Sequence, residues 1–471
     1  MHGPDVVSLS NLVPLMYRAR WLRSFLSGEV TSREESPDGA GWETGSLLAA
    51  PGGRYRAETV DEDGDRDLVI CDGRTGGVPF GELLIPSWLL AAYDLAVAGR
   101  VGHVGRAAYV VRATPRGGRS RTGWPSDSVT ALVDAELGIL LRYEEASPTG
   151  RARVIEFTSL RVDPADSADP LLFTQPADGD PGQDNAGPDE DDPEPALESA
   201  RIAPELSDGQ VNLLYRTALG PQRFAAELRE RADQKTIRQQ GEEALAATRL
   251  GRRTRWLWEN PPASIPDQTD WRARVTVAMP GFYRIDMLTD PGSRAACIAS
   301  DGERMWRVYP DRVAVGPAGP LPPGIGSVLD PSWLLDGYQL STQGTVTVGG
   351  RPGLRIAAVP ASPVLRQGLQ PGVSAAADQI EVIVDAELGI TLRQVCSFQG
   401  LPLVHSELAG VTADIDPEAF AFRPPPGARI IHGGRLLADT GLSPGEIAWY
   451  AATAAPKLAI EIARRWISSR R

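Results

Sequence analysis

The sequence repeats itself, and this internal repeat limits the chain to folds built from two copies of one unit. Residues 86–90 (PSWLL) recur as Pro331–Leu335. Residues 133–139 (VDAELGI) recur at 384–390 with all seven residues identical. The two pairs are offset by nearly the same distance, 245 and 251 residues. This agreement in order and spacing indicates a tandem duplication.

Weaker matches extend the repeat over almost all of both halves. They pair Trp42 with Trp271, Pro51 with Pro280, Asp72-Gly73 with Asp301-Gly302, Arg106 with Arg351, and Arg142 with Arg393. Each half also closes with a similar segment, at residues 169–173 and 416–420. Because a chain of 471 residues is too long for one compact core, two units of this size agree with its length.

The net charge of −13 is concentrated between the two halves. Residues 178–205 contain ten acidic residues and one basic residue, and proline and glycine are frequent among them. Such a composition buries too little apolar area to fold, so it predicts a flexible linker. The predicted units are therefore residues 1–177 and 206–432, followed by a separate helix at 433–471. The remainder is nearly neutral and lacks the clustered cations that nucleic-acid binding needs.

Alternation of apolar and polar residues predicts strands inside each unit. It runs through residues 275–279 and 380–384, as on a strand with one buried face. The turn after residue 384 has the composition of a β-turn, so residues 380–395 are predicted to form a β-hairpin. Gly389, and Gly138 in the first copy, are expected to take a backbone conformation that other residues avoid.

Helices are predicted at a few places. Residues 207–250 carry a broken 3.6-residue period and predict a helical pair that belongs to the second unit; its apolar positions are Leu213, Leu214, Leu219, Phe224, Leu228 and Ile237. The string DPSWLL at 330–335 has an acidic residue and a proline where helices begin. The fold class expected is therefore mainly β (α+β), with two tandem open antiparallel half-barrels. Each would have a short helix across its concave face, with a helical insertion and a C-terminal helix in addition.

Four motifs of the second half follow one another in an informative order. They are MPGFYR at 279–284, DGERMWRVYP at 301–310, VD…GI…LR at 384–393 and DPEAFAFRPP at 416–425. In this order they resemble the LolA/LolB superfamily of lipoprotein carriers, which also includes the RseB-type envelope sensors. The resemblance implies an incomplete β-barrel with helices as a lid, whose apolar interior holds acyl chains. The first half is a degenerate copy, since Asp72-Gly73 is not followed by Trp and Tyr-Pro.

An open half-barrel leaves apolar surface that a helix, a ligand or a partner has to cover. The candidate lining residues of such a cleft are Met279, Tyr283, Ile285, Met287, Trp306, Val308, Trp333, Leu334, Tyr338, Ile356, Val382 and Leu392. The leading hypothesis is non-catalytic binding of a hydrophobic small molecule or acyl chain, such as a lipid or an acylated molecule, in this cleft, without a cofactor. The alternative is a regulatory or scaffolding module that binds a protein partner.

The residues that both halves share do not form a catalytic or metal-binding set. Ser87 and Ser332 recur at predicted helix starts, where capping is the commoner role of serine. The four histidines have no partners at metal-ligand spacing. Cys396 and His405 are a weak candidate for a thiol–imidazole pair, since nothing nearby would orient them. The three cysteines lack CxxC spacing and are expected to be reduced and mostly buried. No enzymatic activity is expected.

Two segments of the second half have no counterpart in the first. Residues 316–326 (GPAGPLPPGIG) belong to an insertion and predict a stiff, kinked loop at the mouth of the cleft. From residue 444 the tail carries apolar residues on one helical face and four arginines near its end. Such a helix either lies on an anionic membrane surface or packs on the protein itself.

The start of the sequence, MHGPD, has neither the basic and apolar run of a secretory signal nor a lipid-attachment cysteine. A cytoplasmic location is therefore expected, with peripheral contact at the inner face of the membrane through the tail. Lysine occurs only twice against dozens of arginines, and this bias is typical of a high-GC, actinobacterial genome.

Overall fold

The computed structural model describes residues 8–19, 24–37, 39–51, 54–72, 80–115, 128–148, 150–167, 169–173, 206–216, 223–233, 235–237, 268–278, 282–288, 294–308, 312–317, 323–360, 377–415, 417–420, 422, 424 and 426–432. The chain divides into two compact units. The first consists of residues 1–115 and 119–211, and the second of residues 116–118 and 212–471. Each unit is built around one large sheet.

The sheet of the first unit is antiparallel throughout. Its strands are β1 (Ser24–Ser36), β2 (Gly39–Ala50), β3 (Arg54–Asp61), β4 (Arg66–Asp72), β5 (Tyr93–His103), β6 (Arg106–Pro115), β7 (Ser128–Asp134), β8 (Leu140–Ala146) and β9 (Ala152–Pro164). They lie in the order β4-β3-β2-β1-β9-β8-β7-β6-β5. The helices are α1 (Leu9–Arg18), α2 (Gly81–Leu84) and α3 (Ser87–Ala92), with 3₁₀ turns at Ala165–Ser167 and Pro170–Phe173.

The sheet of the second unit has twelve described strands. They are β10 (Arg223–Asp233), β11 (Gln268–Ala278), β12 (Phe282–Leu288), β13 (Arg294–Asp301), β14 (Arg304–Val308), β15 (Arg312–Pro317), β16 (Tyr338–Val348), β17 (Arg351–Pro360), β18 (Gln379–Asp385), β19 (Thr391–Phe398), β20 (Leu401–Thr412) and β21 (Arg429–His432). Their order is β16-β17-β18-β19-β20-β10-β11-β12-β13-β14-β15-β21. The helices are α4 (Asp208–Leu214) and α5 (Pro323–Leu329), with 3₁₀ helices at Pro331–Leu335 and Pro417–Phe420.

The two sheets share one topology. The run β5 to β9 followed by β1 to β4 in the first unit has the same order as β16 to β20 followed by β10 to β13 in the second. The second unit adds β14, β15 and β21 at one edge, and β21 joins β15 in parallel. The predicted fold class of mainly β structure, with two open antiparallel sheets and few helices, is confirmed.

The repeated VDAELGI motif forms the same hairpin turn in both units. In the second unit β18 and β19 pair on either side of it, as predicted, and Gly389 has a φ of 73°. Gly138 has a φ of 75°. A Cβ atom at Gly138 would lie 2.3 Å from the carbonyl oxygen of Leu15 in α1, and one at Gly389 would lie 2.8 Å from that of Leu213 in α4. The first helix of each unit therefore packs directly on this turn.

The predicted helical pair at residues 207–250 is wrong for residues 223–233, which form strand β10. In the other described parts, α4 and residues 235–237 are helical. Phe224, Leu228 and Ala232 are four residues apart, a spacing that fits one face of a helix and one face of a strand equally well. Residues 223–233 form a strand because they hydrogen-bond to β11 on one side and to β20 on the other. Residues 238–250 lie outside the described residues.

The predicted loop at residues 316–326 is also wrong in its described parts. Gly316 and Pro317 end strand β15, and helix α5 begins at Pro323. Proline suits the first turn of a helix because the N–H groups there have no partner within the helix. Ile325, Val328 and Leu329 are buried and hold α5 in place. Residues 318–322 and the predicted tail helix at 433–471 lie outside the described residues.

The predicted helix start at DPSWLL is confirmed, but the serines have a different place from the expected one. Asp330 is the N-cap of the 3₁₀ helix Pro331–Leu335, and its carboxylate accepts a hydrogen bond of 3.1 Å from the Ser332 backbone N–H. In the first unit Pro86 precedes α3 without a side-chain cap. Ser87 and Ser332 lie one or two positions inside the helices and are fully buried, so neither is the cap. Among the described helices, none is long and apolar enough to cross a membrane.

Candidate ligand-binding face of the second unit

One face of the second sheet carries most of its apolar side chains, and we call it the inner face. On β10, β11 and β12 the inward residues include Phe224, Leu228, Val275, Val277 and Ile285. Helix α5 packs on them through Ile325, Val328 and Leu329. The inner face is therefore a β-sheet surface under a short helical cover.

The 3₁₀ helix that follows α5 continues this cover. Trp333, Leu334 and Leu335 are all buried. The Trp333 ring meets the Tyr338 ring edge-to-face, with 5.3 Å between centroids. Burial raises the pKa of the Tyr338 hydroxyl above its ordinary value, and the neighbouring Cys396 adds to the shift. The aromatic pair is thus held in an apolar environment.

Nine of the predicted lining residues are at most 6% exposed: Tyr283, Ile285, Val308, Trp333, Leu334, Tyr338, Ile356, Val382 and Leu392. Met287 and Trp306 are half-buried, and Met279 lies outside the described residues. Most of the predicted lining residues are therefore buried in the described conformation.

The structure does not bring all the predicted lining residues together. Tyr283, Ile285 and Met287 join the cluster under α5. Trp306 and Val308 pack in a second cluster, where Trp306 lies against Phe422 with 5.4 Å between ring centroids. A third cluster contains Leu392 with Val348 and Ile383.

Ile383 and Val382 are neighbours on β18, so their side chains point to opposite faces of the sheet. Leu392 packs with Ile383, whereas Val382 shares its face with Gln394 and Ile356. Leu392 therefore lies away from the side of the sheet on which Val382 is placed.

A row of polar side chains crosses the inner face, and the sequence analysis missed it. Strand register places Trp271, Glu230, Ser406 and Gln394 side by side on β11, β10, β20 and β19. The Glu230 carboxylate accepts hydrogen bonds from the Trp271 indole N–H at 3.1 Å and from the Ser406 hydroxyl at 3.0 Å. Burial raises the pKa of Glu230, and these two hydrogen bonds offset only part of the rise.

Gln394, at the end of this polar row, is almost fully buried. Its amide nitrogen lies 3.5 Å from the Cys396 sulfur, and its amide oxygen has no hydrogen-bond partner. Either orientation of the Gln394 amide leaves one polar end without a strong partner. A buried carbonyl without a donor costs about 1 to 3 kcal/mol, so this oxygen offers a site for one.

The first unit has a different set of residues in the corresponding row. The ion pairs Arg142–Glu156 and Arg393–Glu407 link the same two strands in each unit and fix the correspondence. The row then reads Glu43, Ser32, Ile155 and Tyr143. The Tyr143 hydroxyl donates to Glu145 at 2.5 Å, and its ring meets Trp88 edge-to-face at 5.3 Å. Tyr143 therefore fills space beside the helix that the shorter Gln394 side chain does not reach in the second unit.

The repeated turn carries the same buried ion pair in both units. Arg106 binds Asp134 and Glu136, and Arg351 binds Asp385 and Glu387. Asp134 and Asp385 are fully buried, and each accepts two backbone N–H bonds of 2.8 to 2.9 Å.

Burial raises the pKa of each of these aspartates, but the arginine and the two backbone N–H groups outweigh it, so that each pKa lies below its ordinary value. The shared carboxylates are therefore ionised and committed to the turn.

The thiol–imidazole pair that was a weak candidate in the sequence does not form. Cys396 pairs in register with Val404 and His405 pairs with Val395, so the thiol and the imidazole point to opposite faces. Cys297 and Cys396 are buried and not in disulfides, as predicted, and the side chain of Cys71 is outside the described set. The described residues contain no cluster of three or more metal-ligating side chains.

No protein-family model matches the sequence, and no curated protein matches it at a significant level. Solved structures do match. A structure of MucB is 22% identical and covers 37% of this chain and 65% of its own, with a TM-score of 0.27. The chain thus spans just under two thirds of that protein. In the Pseudomonas aeruginosa MucA/MucB complex the match is 13% identical over 64% of this chain and 88% of the other, with a TM-score of 0.27.

Two further matches cover nearly the whole of the other protein. The Mycobacterium tuberculosis lipoprotein LppX is 14% identical over 44% of this chain and 94% of its own, with a TM-score of 0.24. A LolA superfamily protein from Nitrosomonas europaea is 11% identical over 36% of this chain and 99% of its own, with a TM-score of 0.16.

Proposed function

We propose that the second unit binds a hydrophobic ligand, a lipid or an acylated molecule, on its inner face and carries out no chemistry on it. The observation that supports this proposal is the small size of the cover. Among the residues that the structure describes, the helical segments over this face are short: α5 packs on apolar side chains of β10 to β12, and the 3₁₀ helix Pro331–Leu335 packs on the Tyr338 ring. Movement of this short segment would open the face.

Burial of the α5 side chains and burial of an acyl chain contribute comparable free energies. Burial of an apolar side chain contributes about 1.5 to 3 kcal/mol, so the three buried residues of α5 contribute about 5 to 9 kcal/mol. An acyl chain of about twelve methylenes contributes about 10 kcal/mol when it is fully buried. A ligand of this length can therefore replace α5 on the inner face without a large net loss.

The test weakens the cover and measures binding. Leu329→Ala removes a side chain through which α5 holds the inner face, and such truncations cost about 2 to 5 kcal/mol. If the cover competes with the ligand, Leu329→Ala binds the neutral fluorophore N-phenyl-1-naphthylamine at least about tenfold more tightly than the wild type. Leu401→Ala, at a residue 63% exposed, is the matched control and leaves the affinity unchanged. Weaker binding by Leu329→Ala, or equal binding, contradicts the proposal.

The second candidate function is a regulatory or scaffolding module that binds a protein partner on its outer surface. The near-complete burial of nine predicted lining residues favours it, because a closed inner face has no room for a ligand. Solvent extraction and mass spectrometry of the purified protein distinguish the two functions. Co-purifying lipid supports the first, and an empty face together with a stoichiometric protein partner supports the second.

A further inference from the structure

The polar row on the inner face is built into an apolar surface. Within β10 the inward positions are Phe224, Ala226, Leu228, Glu230 and Ala232, so Glu230 interrupts a run of apolar side chains. Neighbouring strands are about 4.8 Å apart, which places the backbones of Glu230 and Gln394 about 10 Å apart with Ser406 between them. Side chains directed to the same side from this distance can contact one small group between them.

Two acceptors on this row, the Glu230 carboxylate and the Gln394 amide oxygen, lack the donors that would complete them. Both described partners of Glu230, Trp271 and Ser406, are neutral donors, and no described arginine or lysine forms an ion pair with it. A carboxylate that leaves water without a cation loses more free energy than hydrogen bonds from neutral groups return. The amide oxygen of Gln394 is buried without any donor. A further donor would complete Gln394, and a positively charged donor is the partner that would keep Glu230 ionised.

We propose that Glu230, Ser406 and Gln394 form the subsite for the head of the hydrophobic ligand, and that this head is a primary amine on an apolar chain. An ammonium group has three N–H donors and a positive charge. One donor satisfies Gln394 and another pairs with Glu230, while the chain lies along the apolar part of the inner face. The inference rests on the proposed function, since it names the ligand class of the same face.

The first unit supplies an internal comparison. Its corresponding row has Ser32 in place of Glu230, Ile155 in place of Ser406 and Tyr143 in place of Gln394. The Tyr143 hydroxyl already has a partner in Glu145. The carboxylate of this row, Glu43, takes the place of Trp271 at the end away from Tyr143, and the row has no unpaired amide oxygen. The arrangement of the amine subsite is therefore specific to the second unit.

The test compares three probes that share one apolar chain: dodecylamine, dodecanol and dodecanoate. Isothermal titration calorimetry on the full chain at neutral pH, below the micelle concentration of each probe, gives their affinities. The wild type is expected to bind the amine at least tenfold more tightly than the alcohol, and the carboxylate most weakly.

Glu230→Gln keeps the size of the side chain and removes the charge. Its amide oxygen can still accept from Trp271, and its amide nitrogen can donate to the Ser406 hydroxyl, which also has acceptor capacity. It is expected to lower the amine affinity about tenfold, to that of the alcohol, and to leave the alcohol unchanged. Gln394→Leu is expected to lower the amine affinity several-fold. Glu227→Gln is the matched control, because Glu227 lies on the same strand, is exposed and points to the other face.

The outcomes distinguish a failure of the amine subsite from a failure of the proposed function. If all three probes bind equally well, or if Glu230→Gln keeps the preference for the amine, the amine subsite is wrong and the hydrophobic face stands. If none of the probes binds, both the subsite and the proposed function are wrong.

Discussion

The two units show what a duplicated fold keeps and what it changes. The order of nine strands, the hairpin turn with its buried aspartate and the edge-to-face Trp–Tyr pair occur in both. The inner face differs at one row. Tyr143 and Ile155 fill it in the first unit, whereas Gln394, Ser406 and Glu230 make it polar and incompletely paired in the second. The two units thus share the strand order and the turn, and they differ at the row that a ligand would contact.

The largest effect is expected where the units are the same. Asp134→Ala and Asp385→Ala each leave a largely buried arginine without its buried partner and remove the oxygen that accepts from two backbone N–H groups. Each is expected to destabilise its own unit by about 3 to 5 kcal/mol. Differential scanning calorimetry of the two variants measures the loss. Glu136→Gln and Glu387→Gln, at exposed members of the same ion pairs, serve as controls and change the stability by less than about 1 kcal/mol.

The same aspartates define a pH dependence. Because the pKa of each lies below the ordinary value of 3.8, their stabilisation is complete above that value and is lost as the pH falls through the lowered pKa. An unequal loss in the two units would show that the turn does not have the same weight in both copies.

An exchange across the differing row is expected to have the next largest effect. Tyr143→Gln removes the ring that packs on Trp88 and the hydroxyl that donates to Glu145, and it is expected to destabilise the first unit by about 2 to 4 kcal/mol. The reverse change, Gln394→Tyr, adds a ring to the inner face of the second unit. It is expected to weaken binding of N-phenyl-1-naphthylamine at least about tenfold, measured by fluorescence titration. Unchanged binding would place the ligand away from this row.

The smallest effect on stability is expected from the titration of the buried Glu230 carboxyl group. Since the pKa of Glu230 is raised, the folded wild type binds this proton more tightly than the unfolded chain does. The wild type therefore loses stability as the pH rises from the ordinary glutamate value of 4.5 to the raised pKa, and Glu230→Gln does not. The melting temperature of Glu230→Gln minus that of the wild type increases over this pH window and is constant above it. A difference that shrinks with rising pH would contradict the assignment.

The repeat and the turn chemistry were readable from the sequence because they depend on local residues. A glycine after Asp-Ala-Glu-Leu predicts the hairpin, and Asp330 before a proline predicts the 3₁₀ helix start. Both are confirmed by the backbone of Gly389 and by the cap that Asp330 forms.

Strand β10 was not readable in the same way. Phe224, Leu228 and Ala232 fit either period, and the pairing that decides between them joins β10 to β20, a strand about 180 residues further along the chain. The assignment of residues 223–233 to a helix gives Glu230 no inward position on a sheet, and it therefore does not predict the polar row. The signal was present, since Glu230 occupies an inward position in the alternation of Phe224, Ala226 and Leu228. Site residues thus depended on the assignment of one central strand.

The pairing of β1 with β9 and of β10 with β20 has a consequence for the rate of folding. Leu26 pairs with Val162 in the first sheet, and Leu228 pairs with Leu408 in the second, 136 and 180 residues apart. Contacts between such distant residues carry a large loop-closure entropy and slow the folding of a domain. On the ribosome each half-sheet can form hairpins early, but the centre of each unit has to wait for β9 or β20 to emerge, so the first unit completes its sheet while the second is still being made.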